Sequence, residues 1–332
     1  MVKTALVTGA SGFTGSYMVK NLLAHGYQVK AMVRANSKTR ELENLPVKIV
    51  NADLTNPAQI DEAVRGSDIV FHIAAMYRAA NEPDQVYRDV NVVGTQYIFD
   101  AVLEHKVGRV VYCSTVGVHG HVDHPPADEN APFKPGDIYQ RTKVEAEELA
   151  MQYYRDHQLP VTIVRPTGIY GPGDLRMLKM YRMVQKGRFL MLGNKDPYYH
   201  LTHVTDIVEG FRLAGEHPGA AGQSYIIAGD SYFTLRQFAE AIAEALHVNL
   251  KIIRLPLWPV YTAGFLCEKI CIPLRVQPPI FRRRVDIYLK DRAFDCSKAV
   301  RELGYAPAVD PKTGIRETAE WYIQQGYLNP VK

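Results

Sequence analysis

The chain has 332 residues, 47% of them hydrophobic, and a formal net charge of +4. That length supports a substantial core in one large domain or two smaller ones. Nearly balanced, interspersed charges argue against a nucleic-acid partner. The four cysteines, Cys113, Cys267, Cys271 and Cys296, form no C-x-x-C pair and no metal spacing with histidine. They read as reduced thiols in a cytoplasmic protein. No signal peptide is expected, and no run of about 18 apolar residues predicts a membrane-spanning helix.

The first element predicted is a strand over Ala5, Leu6 and Val7, followed by Gly9, Gly12 and Gly15 and an amphipathic helical run from Tyr17 to Leu23. A strand, a glycine turn and a helix in that order suit a dinucleotide. Gly9 permits the tight turn, Gly12 lets a pyrophosphate approach the backbone, and Gly15 lets the helix pack on the sheet. The helix start offers free N–H groups and partial positive charge. The spacing G-x-x-G-x-x-G differs from the commoner G-x-G-x-x-G, so the flanking strand and helix carry the assignment. Gly9, Ser11, Gly12, Phe13, Thr14 and Gly15 are the candidate cofactor contacts.

A second strand runs from Val29 to Val33, with Arg34 at its end and Lys38 nearby. An acid there would bind the ribose 2′-OH of NAD, whereas an arginine accommodates the 2′-phosphate of NADP. The residues therefore favour NADP over NAD, against the plain alternative of a solvated arginine. A third strand, Val47 to Val50, leads to Asp53 and Leu54, and Pro57 opens a helix from Ala58 to Val64. Asp68 to Ala75 reads as a strand buried on both faces. A long helix from Asp84 to Glu104, containing Asn91 and Gly94, precedes a strand from Arg109 to Ser114. Such alternation predicts a parallel sheet with right-handed crossovers.

Thr115 to Lys134 is a polar, proline-containing segment with His119, His121 and His124. Their spacing argues against a metal, and the segment reads as a mobile loop over a pocket. A helix follows from Asp137 to His157, then a strand from Val161 to Arg165 ended by Pro166. Gly168 to Asp174 reads as turn. Further helices are expected at Arg176 to Lys186, His203 to Ala214 and Leu235 to Leu246, with strands at Phe189 to Leu192 and Ser224 to Ala228. Leu255 to Phe281 is the most apolar region and reads first as a core helix, with a pocket wall or membrane-facing surface as the rival. The basic cluster Arg282 to Arg284 and helices at Ser297 to Leu303 and Lys312 to Gln325 complete the chain.

Tyr139 and Lys143 stand four apart in a predicted helix and so share a face. A phenol titrates near ~10 in water. An ammonium ~4 Å away in a partly buried site interacts with the phenolate by roughly 4 kcal/mol, which lowers the phenol by up to ~3 units. A phenol so poised can carry a proton to or from an oxygen.

T-G-A-S-G-F-T-G from Thr8, H-I-A-A from His72, N-V-V-G-T from Asn91, C-S-T-V-G-V-H-G from Cys113, Y-Q-R-T-K from Tyr139 and R-P-T-G-I-Y-G-P-G from Arg165 recur in one order. As a set, with R-A-F-D-C-S-K-A-V-R-E-L-G-Y-A-P from Arg292, they resemble the extended short-chain dehydrogenase/reductase family. Within it, the chain is similar to the 3β-hydroxysteroid dehydrogenase-like branch of the NAD-dependent epimerase/dehydratases. The resemblance implies an α/β Rossmann fold, a doubly wound parallel sheet with a smaller C-terminal substrate-binding α+β portion. Residues 1–170 would bind NAD(P), with 201–230 returning to that unit, and 171–332 would mainly bind substrate.

It further implies that Tyr139 is the acid/base, that Lys143 lowers its pKa and holds the nicotinamide ribose, and that Thr115, with Ser114 in reserve, meets the substrate oxygen. Asp53 and Leu54 would flank adenine, while Ala74, Ala75, Pro166 and Ile169 would line the cofactor. Asn91, grouped with the cofactor set, would steady the helix of Tyr139. Dehydratases carry Asp and Glu where this chain has Val116 and Gly117. Arg284 and Asp286 partly match a sugar-diphosphate motif. The expected reaction is hydride transfer between nicotinamide and the alcohol or ketone of a hydrophobic small molecule, the alternative a nucleotide-sugar epimerase with tightly bound NAD. The resemblance also implies a homodimer joined through the helices at 84–104 and 137–157, and leaves a peripheral membrane contact open.

Overall fold

The computed structural model describes residues 2–77, 82–271, 285 and 288–330. Six strands, β1 (Thr4–Thr8), β2 (Gln28–Val33), β3 (Val47–Asn51), β4 (Ile69–His72), β5 (Arg109–Cys113) and β6 (Val161–Pro166), join Ser224–Ile227 in one seven-stranded sheet. The spatial order is β3-β2-β1-β4-β5-β6 and then Ser224–Ile227, with every neighbouring pair parallel. The chain reverses direction across the sheet between β1 and β4, which opens a crevice at the carboxyl ends of the strands.

Alternation within the strands makes two cores. Ala5, Val7, Val29, Ala31, Ile69, Phe71, Val111 and Val164 pack on one face, against α1 (Phe13–Ala24) and α7 (Val204–Glu216). Leu6, Met32, Val70, Val110, Tyr112 and Ile163 pack on the other, against α2 (Pro57–Val64), α4 (Gly94–Glu104) and α5 (Ile138–His157). Burying a large apolar side chain contributes about 1.5–3 kcal/mol, so a strand apolar on both sides is held only in the middle of such a sandwich. The helices start where their sequences provide caps. The Asn56 side chain accepts from the Gln59 amide ahead of α2, and Asp137 accepts from the Gln140 amide ahead of α5.

The predicted helix over 84–104 is interrupted. After α3 (Asp84–Arg88) comes one π-helical turn, Asp89–Val93, before α4 resumes the α-helix. Single π turns occur frequently at functional sites. This one contains Asn91. The turn expected at Gly168 to Asp174 begins as a strand, Gly168–Tyr170, paired in parallel with Leu201–His203. That strand, Tyr198–Tyr199, Phe233–Thr234 and Lys251–Leu255 were invisible in the sequence. Most are two or three residues long and carry no period.

A third core belongs to the later chain. Tyr181, Phe189, Phe238, Ile242 and Tyr322 join α6 (Leu178–Gln185), α8 (Leu235–Ala245) and the last helix, Pro311–Gln324. Tyr17 of α1 donates to the Pro172 carbonyl at 2.8 Å, tying this layer to the glycine turn.

Two expectations need correction. The histidine segment is not a loose loop. Val122 and Ala127 donate their amides to the carbonyls of Asp291 and Ala293, and the Asp295 amide donates back to Ala127. His119 is buried, and burial beside Arg165 holds its imidazole below the usual range. Among the described residues no three potential ligands converge as a metal would need. Nor is the apolar run a core helix in its described part. In α9 (Leu257–Cys271), Trp258 is 74%, Leu266 53% and Ile270 60% exposed. No described helix is long and apolar enough to cross a membrane. Arg282 to Arg284 and Asp286 lie outside the described residues.

Candidate active site

The glycine turn has the geometry a pyrophosphate needs. Gly9 has φ of +69°, a left-handed value that favours glycine, and a Cβ there would meet the Ala74 backbone at 3.0 Å. At Gly15 a Cβ would lie 2.1 Å from the Gly9 carbonyl oxygen. Gly12 donates its own amide to Gly9 and has no side chain with which to cap α1. The amides of Phe13, Thr14 and Gly15 therefore find no acceptor among the described residues. Three free donors at a helix N-terminus fit the phosphates of a dinucleotide.

The other predicted cofactor contacts gather along the same sheet edge. Arg34 is exposed just past β2. Asp53, past β3, accepts from the Thr55 amide and hydroxyl at 2.9 and 2.6 Å. Those two bonds, and then the charge of Arg34, hold its carboxyl below the usual range. Leu54 is buried under Gly94, where a Cβ would come within 2.9 Å of it. Ala74 and Ala75 follow β4, with the Ala74 amide on the Thr8 hydroxyl at 3.0 Å. Pro166 ends β6, and Ile169 follows with its carbonyl accepting from Arg176 at 2.6 Å. Ser11, Phe13 and Thr14 are half-buried in the glycine turn.

A directed hydrogen-bond chain runs from β1 to the helix of Tyr139. The Thr8 oxygen accepts from the amides of Ile73 and Ala74 and bonds His72 Nδ1 at 2.9 Å. His72 Nε2 bonds Thr95 Oγ1 at 3.0 Å, and Thr95 donates to the Asn91 carbonyl at 2.7 Å. Thr95 thus has only its lone pairs for the imidazole, so His72 is the Nε2–H tautomer and accepts from Thr8 at Nδ1. Burial pushes this imidazole down to about 3, which keeps it neutral. The Asn91 amide nitrogen then donates to Thr142 at 3.0 Å, and Thr142 to the Tyr139 carbonyl at 2.9 Å. Asn91 also exchanges bonds with the Met76 amide and carbonyl at 2.7 and 3.1 Å. Both donors of the amide are used, so Asn91 holds helix and loop together as expected, with one lone pair of its oxygen still open.

The two ends of the Y-x-x-x-K motif have surroundings the sequence did not foresee. The Tyr139 phenol is raised well above its usual value by burial, then by Cys113, Tyr77 and Asp137. Arg176 draws it down. Lys143 is buried with its Nζ 4.4 Å over the Tyr112 ring, and desolvation brings it down to about 8. Burial thus acts on the two groups in opposite senses, raising the phenol and drawing the ammonium down, which is not the lowering expected of Tyr139. Ser114 is corrected too. It is buried, and its hydroxyl donates to Glu147, which is held by Arg165 with contacts of 2.6 to 3.1 Å. The Thr115 oxygen accepts from the Gly117 amide at 3.0 Å, and among the described residues nothing takes its proton. Thr115 is therefore the hydroxyl of the pair able to donate to a substrate oxygen.

His72 and Arg176 were not among the expected site residues. Arg176 forms a two-pronged contact with Asp174, at 2.8 and 3.2 Å, and lies 5.6 Å over the Phe13 ring. Tyr77 meets the Tyr139 ring edge-on at 4.8 Å. The arginine two places after G-P-G-D was the one available signal.

A family model described as NAD dependent epimerase/dehydratase family matches residues 5–228. A 3beta-hydroxysteroid-dehydrogenase/decarboxylase of Arabidopsis thaliana is 30% identical, covering 95% of this chain and 78% of that protein. A 3-beta-hydroxysteroid dehydrogenase of Mycolicibacterium neoaurum is also 30% identical, covering 96% of this chain and 90% of that one. Among solved structures, the dTDP-glucose 4,6-dehydratase DesIV of Streptomyces venezuelae, with NAD bound, superposes with a TM-score of 0.78 at 25% identity, covering 99% of this chain and 100% of that chain.

Proposed function

The chain belongs to the NAD dependent epimerase/dehydratase family, within the extended short-chain dehydrogenase/reductases, and from that premise we propose that it reduces a ketone of a hydrophobic small molecule with NADPH. It is an NAD(P)-dependent oxidoreductase. The observation that carries the reading is geometric: Tyr139 on its anchored helix, beside Tyr77, with the Thr115 hydroxyl free to donate to a substrate oxygen. Hydrogen bonds anchor that helix, and the phenol stays protonated at neutral pH. A protonated phenol is a proton donor, as a carbonyl oxygen requires when its carbon gains a hydride. The bound nicotinamide supplies that hydride.

The chain's own residues do the rest. The free amides of Phe13, Thr14 and Gly15 bind the pyrophosphate, Arg34 the ribose phosphate, and Thr115 orients the carbonyl by donating to its oxygen. Lys143, its ammonium drawn down to about 8 by burial, stays charged at pH 7 and would hold the nicotinamide ribose. Tyr77 and Tyr139 form an aromatic wall, which supports an apolar substrate. Residues 171–332 mainly supply the substrate side. A homodimer through α4 and α5 belongs to the same proposal, and light scattering tests it.

Calorimetric titration with NADPH and NADH, then NADPH oxidation against a panel of apolar ketones, tests the reading. Tighter NADPH binding that Arg34→Ala abolishes, with ketone-dependent oxidation, is the expected result. Protein that purifies with non-exchanging NAD and oxidises no added NADPH would establish the epimerase alternative instead.

A further inference from the structure

We propose that Tyr112 is a positioning residue for the reaction: the face of its ring supports the Lys143 ammonium and keeps it charged where a nicotinamide ribose would meet it. The inference rests on the oxidoreductase reading above and adds a residue to its machinery.

Lys143 is a cation with no anion of its own. It is 2% exposed, and among the described residues nothing accepts a hydrogen bond from its Nζ. An ammonium buried in that way is costly. What it has is a ring: Nζ stands 4.4 Å from the centroid of Tyr112. The negative face of an aromatic ring attracts a cation within about 6 Å, most strongly when both are out of water.

The other groups around the ammonium do not replace that ring. Glu147, one turn further along α5, is committed: Arg165 of β6 donates to both its oxygens, and the Ser114 hydroxyl donates to it as well. The Cys113 thiol, next to Tyr112 on β5, is pushed up by burial and stays neutral. His72, opposite Tyr112 on β4, is neutral too, and Tyr139 on α5 keeps its proton.

The ring cannot turn away. Tyr112 is buried, with Phe99 of α4 edge-on at 6.3 Å and the His72 imidazole at 5.8 Å. Its hydroxyl is also buried, and among the described residues it has no hydrogen-bond partner. A tyrosine kept for its hydroxyl would have that group satisfied; here the face is the part in use. Two substitutions separate these roles. Tyr112→Phe keeps the face and loses an unpaired hydroxyl, whereas Tyr112→Leu keeps apolar packing and loses the face.

The test follows the titration of Lys143 by NMR of isotope-labelled lysine ε-carbons in the full-length protein, with Lys143→Arg identifying the signal. Burial draws the wild-type ammonium down to about 8. Tyr112→Leu should lower the midpoint further, by about one pH unit, which leaves about half of the ammonium charged at pH 7. Tyr112→Phe should leave the midpoint where it was. NADPH binding, read by fluorescence, should weaken between pH 6 and pH 8 more steeply in Tyr112→Leu than in the other two proteins. Equal midpoints in Tyr112→Leu and the wild type overturn the inference. An equal fall in Tyr112→Phe also overturns it, by assigning the effect to the hydroxyl. Circular dichroism reports whether each variant folds, and should Tyr112→Leu fail, Tyr112→Met carries the same expected shift. The wild type supplies a check that needs no variant: the ring current should move the Lys143 ε-protons upfield, and unshifted protons overturn the contact. A protein that binds neither pyridine nucleotide overturns the oxidoreductase reading, and the role at the ribose with it, while the midpoints decide the ring contact independently.

Discussion

The two walls of the site are built by different means. The proposed cofactor wall is mostly main chain, glycines whose φ and close contacts exclude side chains, with the Arg34 and Asp53 side chains added just past β2 and β3. The opposite wall is made of side chains from distant segments, Tyr77 past β4 meeting Tyr139 on α5. A wall of backbone can be altered only by changing the fold. A wall of side chains can be altered one residue at a time, which is how one scaffold serves many substrates.

The sharpest way to break this contrast is to change the reacting group alone. Tyr139→Phe should lower kcat by about 10²- to 10⁴-fold with cofactor affinity retained in calorimetry. Full turnover in that variant would remove Tyr139 from the chemistry. Behind the site, Glu147→Ala strands a buried Arg165 and frees Ser114. It should cost about 3–5 kcal/mol in urea denaturation, although neither partner faces substrate.

Gly15→Ala tests the backbone wall itself. Its Cβ would fall 2.1 Å from the Gly9 carbonyl, and overpacking of that kind costs about 1–3 kcal/mol. NADPH affinity should drop as well, because the turn must move. Unchanged affinity would mean that the turn does not hold the phosphates.

The neutral histidines give a pH dependence with a defined sign. His72 is depressed to about 3 and His200 to about 4. Between ~6.5 and those values the unfolded chain binds protons that the folded one excludes. The stabilisation is complete above ~6.5 and declines as pH falls, by up to about 1.4 kcal/mol per pH unit for each group. Urea midpoints at pH 7 and pH 5 should show the decline, and His72→Gln should make it shallower. The smallest effect belongs to α9. Trp258→Ser should move stability by no more than about 0.5 kcal/mol, because the ring is 74% exposed. A large loss would restore the core-helix reading of this segment.

By itself the sequence determined the parallel sheet, the glycine turn and the placement of Tyr139 and Lys143 on one helix. Each is a local statement: a strand period, residues without a Cβ, a four-residue spacing. Tertiary structure decided what those groups experience. The Asn91 amide sits between Met76 and Thr142, Ser114 turns to Glu147, and Lys143 lies over Tyr112. Arg176 comes to lie over Phe13 through a turn that meets the first layer only in the folded chain. Whether a phenol is raised or lowered depends on how much water burial removes from it and which charges remain near it. Both are sums over segments far apart in sequence, so no local motif could have carried the answer.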